Sequence, residues 1–244
     1  MKAIILCAGQ GRRLLPYTES SPKCLLNLNN KHFIEWQIDA LQQVGVEKIV
    51  AVIGYAARRI ESILSKRYGD KVSFVYNPFY EIADNLASCW MARDHFEDNF
   101  MILNGDTLFE PAVISKLLSA NEFPITLATD KKQKYDDDDM KVITKDSRLI
   151  SVGKKLPMSE VNGESIGIMH FNPEGARLFK HTIEKLMYSP ESLQKWYLSI
   201  IDQLASLNHV GTCSINGLEW TEVDFIQDLE RAQQLAAKWA KEAD

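Results

Sequence analysis

The residues of this 244-residue chain best suited to chemistry lie near its start, in Gly9-Gln10-Gly11-Arg12-Arg13-Leu14 followed by Pro16, Thr18, Pro22 and Lys23. Glycines at this spacing let backbone N–H groups approach a phosphate, and basic side chains at fixed offsets offset its charge. The string is not a dinucleotide fingerprint, because no third glycine follows Gly11. It is not a P-loop either, because Gly-Lys-Ser/Thr is missing. Two carboxylate sites stand apart from it: Asp106, closing Asn104-Gly105-Asp106 after an apolar run, and Asp224, in Glu222-Val223-Asp224. Asp224 with Gln227 also has the spacing of a helix capping box, and Asp106 alone reads equally as a turn residue.

The longer string Leu6-Cys7-Ala8-Gly9-x-Gly11-x-Arg13-Leu14-x-Pro16-x-Thr18-x-x-x-Pro22-Lys23 is far more specific. It resembles the signature of the nucleotidyltransferases that make sugar nucleotides and CDP-activated head groups. Cys7 stands where that signature has an alanine, and small residues fit the turn, so Cys7 is expected to pack there and not to act as a nucleophile. The resemblance implies that Leu6, Cys7, Ala8, Gly9 and Gly11 bind a nucleoside triphosphate and that Arg13 and Lys23 are catalytic. It also implies that Asp106, near the nucleotide, and Asp224 hold Mg²⁺, a metal that takes few protein carboxylates. Val152-Gly153-Lys154-Lys155 resembles the segment carrying the family's acceptor-phosphate lysine; Lys154 is preferred over its neighbour Lys155.

Sugar-1-phosphate members usually have a Gly-rich element between the third and fourth strands, yet no glycine occurs between Gly69 and Gly105. That region instead carries Asn85-Leu86-Ala87-Ser88, similar to the phosphocholine cytidylyltransferase branch and its relatives acting on small phosphorylated or phosphonate compounds. Asn85 and Ser88 are therefore expected at the nucleotide, since an amide both donates to and accepts from a pyrimidine edge. The competing role is capping of the next helix by Asp84 or Asn85. A positively charged acceptor would need carboxylates or aromatic faces; Tyr135, Glu164 and the run Asp136 to Asp139 are candidates, with Trp90, Trp196, Tyr197 and Trp220. The expected reaction is transfer of a nucleotidyl group, CMP from CTP, to a small phospho- or phosphono-acceptor with release of pyrophosphate. A sugar-1-phosphate nucleotidyltransferase and a noncatalytic nucleotide-binding regulatory domain are the alternatives.

Elements that position these residues are legible as short apolar runs alternating with helical spacing. Strands are expected at 3–7, 48–53, 72–76 and 100–103. Helices are expected through Phe33, Ile38 and Leu41, through Ile60, Leu64 and Tyr68, and over 85–95. Further strands are expected at 125–129, 141–144, 149–152, 165–171 and 210–215, with helices over 173–187, 192–206 and 225–240. The fold class is α/β: a Rossmann-like three-layer sandwich with a mostly parallel mixed sheet and a substrate-side lobe of extra strands and helices. Ligands of such sheets bind beyond the carboxyl ends of the strands, where the loop from Ala8 to Lys23 and Asp106 both fall. Residues 1–244 are expected to form one domain, with a nucleotide-binding half over about 1–130 and an acceptor-binding half over about 131–244.

Composition agrees with a soluble globular chain. Hydrophobic residues make up 45% and charged residues 25% of the chain, enough to build a sizeable core. With 28 Lys and Arg against 33 Asp and Glu, the formal charge is −5 and no basic block offers a nucleic-acid surface. No apolar run approaches a membrane span. The apolar start runs into glycine and arginine instead of a cleavage site, and Cys7, Cys24, Cys89 and Cys213 have no metal-binding or disulfide spacing, so a cytoplasmic setting is expected.

Overall fold

Successive side chains along the inner strands point to opposite faces of the sheet and are buried on both, which builds the layers. In the computed structural model, which describes residues 1–242, the chain begins with β1 (Lys2–Leu6), a short hairpin β2 (Asn27–Leu28) and β3 (Lys31–His32), and α1 (Phe33–Gln43). There follow β4 (Lys48–Ile53), α2 (Ala57–Tyr68), β5 (Val72–Tyr76), α3 (Asn85–Met91), β6 (Phe100–Asn104), β7 (Thr107–Phe109) and α4 (Pro111–Ser119). The second half contains β8 (Ile125–Asp130), β9 (Lys141–Lys145), β10 (Arg148–Gly153), β11 (Gly163–Phe171), α5 (Pro173–Leu186), α6 (Leu198–Ser206), β12 (Val210–Ser214), β13 (Trp220–Glu222) and α7 (Ile226–Glu242).

Nine strands form one sheet in the order β5-β4-β1-β6-β11-β8-β12-β10-β9. β5, β4, β1 and β6 are mutually parallel; β10 and β11 run against their neighbours, which makes the sheet mixed. Ala3, Ile5, Met101 and Leu103 turn to the face covered by α1, α2 and α4, while Ile4, Phe100 and Ile102 turn to the face covered by α3, α5 and α6. This is the period-two geometry of strands buried on both sides. A third cluster joins α7, through Leu229, Ala232 and Ala236, to Leu14, Leu28, Phe33 and Leu108. It anchors the end of the glycine loop on the side of β7.

Several elements depart from the sequence expectation. The three-residue strands β7 and β13 were not expected, because such short strands carry too little periodicity, and the helix α4 was not expected either. The helix expected over 85–95 ends at Met91, with a separate 3₁₀ turn over Arg93–His95. The helix expected over 192–206 is broken: a 3₁₀ turn spans Pro190–Gln194, and α6 starts only at Leu198. The residues between are drawn out because their backbone serves the start of α3, with Asp84 N–H donating to Leu193 O (2.7 Å) and Leu86 N–H to Lys195 O (3.2 Å).

Phe171 of β11 stacks on Phe100 at a centroid distance of 4.5 Å and packs at a tilt on Phe179 of α5 at 5.0 Å. It therefore ties the parallel half of the sheet to β11 and the helix behind it. Phe171→Ala is expected to destabilise the protein by about 3–5 kcal/mol, as for other large aromatic truncations in a close-packed core. Urea unfolding checks this, and Phe171→Leu should recover more than half of the loss.

Candidate active site

Four features shape the glycine loop. Gly105 N–H donates to Leu6 O at 2.9 Å, and a Cβ on Gly105 would lie 2.5 Å from that same oxygen, so β1 and the turn after β6 touch only because residue 105 has no side chain. Cys7 N–H and Sγ–H both donate to Val52 O, at 3.0 and 3.2 Å. Hydrogen bonding with Cys24 and burial push the Cys7 thiol well up, which keeps it protonated and unreactive. Gly11 has a left-handed φ of 78°, its carbonyl accepts from Thr18 Oγ1 at 2.8 Å, and a Cβ there would meet Lys23 Cβ at 2.9 Å. Among the described residues, the N–H groups from Ala8 to Gly11 have no protein acceptor, which leaves them for an anion.

Lys23 closes the site. Its Nζ donates to Asp106 Oδ2 at 3.0 Å and to Asp224 Oδ1 at 2.8 Å, with only 12% of the side chain exposed. Burial alone would lower the Lys23 pKa, but the charges of Asp106 and Asp224 outweigh it and hold the ammonium above its ordinary value. The row of charge continues outward. Asp224 Oδ2 accepts from Arg13 Nη2 at 2.8 Å, Arg13 Nη1 donates to Asp138 Oδ2 at 3.0 Å, and Asp138 Oδ1 accepts from Lys154 Nζ at 2.9 Å. Lys154 and Arg13 hold the Asp138 carboxyl below its usual range.

A two-stranded ladder brings the carboxylates together. β7 and β13 pair antiparallel with Thr107 opposite Glu222, and Val223 N–H donates to Asp106 O at 2.9 Å. The capping box expected from Asp224 and Gln227 does not form. Asp228 Oδ2 accepts from the N–H groups of Asp224 and Phe225 at 3.0 and 2.7 Å, and the Asp224 side chain is left for Lys23 and Arg13. Asp106 Oδ1 is buried with no hydrogen-bond partner, as a carboxylate oxygen reserved for a cation would be. Among the described residues no group of three His, Cys, Asp or Glu side chains could hold a metal on its own. Two carboxylates completed by phosphate oxygens and water suit Mg²⁺.

Two cavities meet at Asp224. The first, about 410 Å³, is lined by Leu6, Cys7, Gly9, Gly11, Arg13, Lys23, Asn85, Asn104, Gly105 and Asp106. The second, about 320 Å³, is lined by eight carboxylates (Asp130, Asp136, Asp138, Asp139, Glu164, Glu222, Asp224 and Asp228) against Lys131, Lys132 and Arg231, with Trp220 and Phe225. Neither lining contains a histidine.

The sequence candidates are sorted by these cavities. Asn85 lines the first, with its Oδ1 accepting from Tyr197 N–H at 3.0 Å. Ser88 is turned away: it is buried and accepts from Asn77 Nδ2 at 3.0 Å. Ala8 does not line the cavity; its carbonyl accepts from Tyr55 N–H at 2.9 Å and so fixes the loop. Glu164 lines the second cavity, its carboxyl pushed up by burial although Lys132 Nζ lies 3.0 Å away. Tyr135 is not in that lining and instead lies beneath Lys132, whose Nζ is 6.0 Å from the ring centroid. Lys154 reaches Asp138, whereas Lys155 is exposed. Tyr197 is fully buried and Trp90 lies under Arg93 in a surface groove with His181, so neither face is offered to a ligand in the cavities.

Glu222 is the main cavity-lining carboxylate that sequence reasoning did not single out. It opens onto the acidic cavity, and the protein packed around it, with the charges of Asp106 and Asp224, pushes its carboxyl up to about 8. Its signal was its place two residues before Asp224, on the same side of an extended segment. Asp130 was missed as well; it lines the same cavity and accepts from Trp220 Nε1 at 2.7 Å.

Comparison with known proteins gives a family and a fold. Residues 3–196 match the family described as MobA-like NTP transferase domain. The chain is 26% identical to the CTP:phosphoglutamine cytidylyltransferase of Campylobacter jejuni, over 94% of this chain and 98% of that protein. It is 26% identical to the choline-phosphate cytidylyltransferase of Streptococcus pneumoniae, over 96% of this chain and 98% of that protein. The solved inositol-1-phosphate CTP transferase from T. maritima shares the fold, with a TM-score of 0.83 and 22% identity over 97% of this chain and 95% of the other.

Lys23→Met leaves Asp106 and Asp224 facing each other without their shared counter-charge. Removing one partner of a buried pair costs about 3–5 kcal/mol, and the partial exposure of these groups brings the expected loss to about 1–3 kcal/mol. Asp106→Asn added to Lys23→Met should restore part of it by removing one uncompensated charge. Urea unfolding without divalent cations reads both effects.

Proposed function

Because the chain belongs to the family of MobA-like NTP transferase domains, we propose that it transfers CMP from CTP to a small phosphorylated or phosphonate acceptor that carries a positive charge, releasing pyrophosphate. The observation that carries this is the pairing of two cavities at Asp224, one with free loop amides and the cations Arg12, Arg13 and Lys23, the other acidic. The names of its full-length relatives, which act with CTP on phosphoglutamine and on choline phosphate, support the choice of base and the class of acceptor.

An alkyl phosphate has a second pKa near ~6, so the attacking oxygen is already largely deprotonated at pH 7 and needs no general base. That suits linings without histidine. The acceptor oxygen bonds to the α-phosphorus as the bond to the bridging oxygen of the leaving pyrophosphate breaks. The obstacle is charge repulsion, and positioned cations are the remedy. The amides of Gly9 and Gly11 bind triphosphate oxygens, Lys23 and Arg13 offset charge on the triphosphate and pyrophosphate, and Lys154 holds the acceptor phosphate. Asp106 and Asp224 would hold Mg²⁺, which supplies further charge stabilisation at the phosphates when bound. Asn85 reads the pyrimidine edge from the first cavity. In the second cavity Glu164 and its neighbouring carboxylates take the acceptor's positive end, beside Trp220 and Phe225.

Pyrophosphate release tests the proposal, with CTP, UTP and dTTP each paired with phosphocholine, an aminoalkylphosphonate, phosphoglutamine, an uncharged isostere and glucose 1-phosphate. CTP with a cationic acceptor should exceed CTP with the isostere by about tenfold in kcat/KM, the scale of ~1.4 kcal/mol from carboxylate and aromatic contacts. A preference for glucose 1-phosphate with UTP or dTTP would overturn both base and acceptor. Asp106→Asn and Asp224→Asn should each lower turnover by about a hundredfold or more, with the largest effect at limiting Mg²⁺. Lys154→Ala should chiefly raise the acceptor KM.

A further inference from the structure

The segment just before α6 belongs to the acceptor half by sequence but is stitched to the nucleotide cavity. Gln194 Nε2 donates to Ile82 O at 2.7 Å, Asp84 N–H to Leu193 O at 2.7 Å, Leu86 N–H to Lys195 O at 3.2 Å and Tyr197 N–H to Asn85 Oδ1 at 3.0 Å. Four hydrogen bonds thus bind residues 193–197 to residues 82–86, the stretch that presents Asn85.

The two residues at the end of this strap face opposite ways. Tyr197 is 0% exposed, and its hydroxyl donates to Asn104 Oδ1 at 2.9 Å. Asn104 stands two residues before Asp106, its backbone carbonyl accepts from Gln37 Nε2 at 2.8 Å, and its side chain fills the space left by Gly167, where a Cβ would come within 2.4 Å of Asn104 Nδ2. Trp196 is 40% exposed, and Lys154 Nζ lies 4.7 Å from its ring centroid. That indole face and Asp138 are what hold the Lys154 ammonium in place. One dipeptide therefore touches the lysine on the acceptor side and both asparagines on the nucleotide side.

From this juxtaposition we infer that Trp196 and Tyr197 are positioning residues that keep the two substrates in register, Trp196 through Lys154 and Tyr197 through Asn85 and Asn104. The inference rests on the roles proposed above for Lys154 and Asn85. In-line attack needs the acceptor oxygen and the α-phosphorus aligned at near-contact distance, and small misplacements cost large factors in rate. A rigid strap between the two holding groups meets that need without touching either substrate.

Steady-state kinetics of the full chain, with CTP and the acceptor of the panel it uses best, provide the test. Trp196→Leu should raise the acceptor KM about fivefold or more, the scale of a partly desolvated cation–π contact, and leave the CTP KM within about twofold. Trp196→Phe should keep most of the wild-type value. In a Lys154→Ala background, Trp196→Leu should have no further effect on the acceptor KM, because its route of action is gone. Tyr197→Phe retains the buried ring and removes only the hydroxyl. It should weaken CTP binding, read by calorimetry, about threefold to tenfold while the acceptor KM stays within about twofold. Additive effects of Trp196→Leu and Lys154→Ala would overturn the inference by giving Trp196 a contact of its own with the acceptor. Equal rises in both KM values, or wild-type CTP binding by Tyr197→Phe, would overturn it by leaving these residues a structural role only. An unchanged acceptor KM in Lys154→Ala alone would instead remove the proposed role of Lys154, and the Trp196 half of the inference with it, while the Tyr197 measurement still reads the nucleotide side.

Discussion

The Lys23 ammonium between Asp106 and Asp224 is the interaction on which the site depends. It joins three remote parts of the chain: the end of the glycine loop, the turn after β6 and the turn after β13. Two carboxylates so close, and mostly withdrawn from water, repel each other unless a cation lies between them. Glu222 shows the same pressure, because its carboxyl is pushed up by its surroundings and by those two charges. The fold thus concentrates negative charge where a cation is needed and supplies one of its own from Lys23.

The scaffold is arranged to make that concentration possible. Parallel strands deliver Leu6 and Asn104 side by side at the carboxyl ends of β1 and β6. Gly105 lets the two chains touch, and the β7–β13 ladder adds the third segment. From Lys23 the alternation of sign runs through Asp224, Arg13 and Asp138 to Lys154, so the cations that would meet the two substrates' phosphates are each paired with a carboxylate. In the proposed reaction, phosphate oxygens would take the places of those carboxylates on the cations, and Mg²⁺ would supply the counter-charge that Asp106 and Asp224 lose.

Much of this was legible in the sequence. Continuous apolar runs such as 48–53 and 72–76 read as buried strands, and their structural limits are Lys48–Ile53 and Val72–Tyr76. Gly9, Gly11, Arg13, Lys23 and Asp106 fell at strand ends by the logic of parallel sheets, and all line one cavity. What stayed hidden depends on tertiary pairing. Three residues cannot display strand periodicity, so the ladder that joins Asp106 to Val223 had no local signal. Residues 192–206 have helical composition, yet the needs of residues 82–86 override propensity and draw out the chain before α6. Ser88 had a plausible hydroxyl at a plausible spacing, but a helix turns one face inward, and that face meets Asn77. The acidic run from Asp136 to Asp139 read as a site for a cation, and only the folded chain shows Asp138 linking Arg13 to Lys154.

A structure of the protein with CTP and Mg²⁺ tests the central claim most directly, through the position of one nitrogen atom. If the bridge is a place-holder for substrate charge, Lys23 Nζ moves to a phosphate oxygen and Asp106 and Asp224 both face the metal. Lys23 still bridging the two carboxylates, with the triphosphate bound elsewhere, would contradict it.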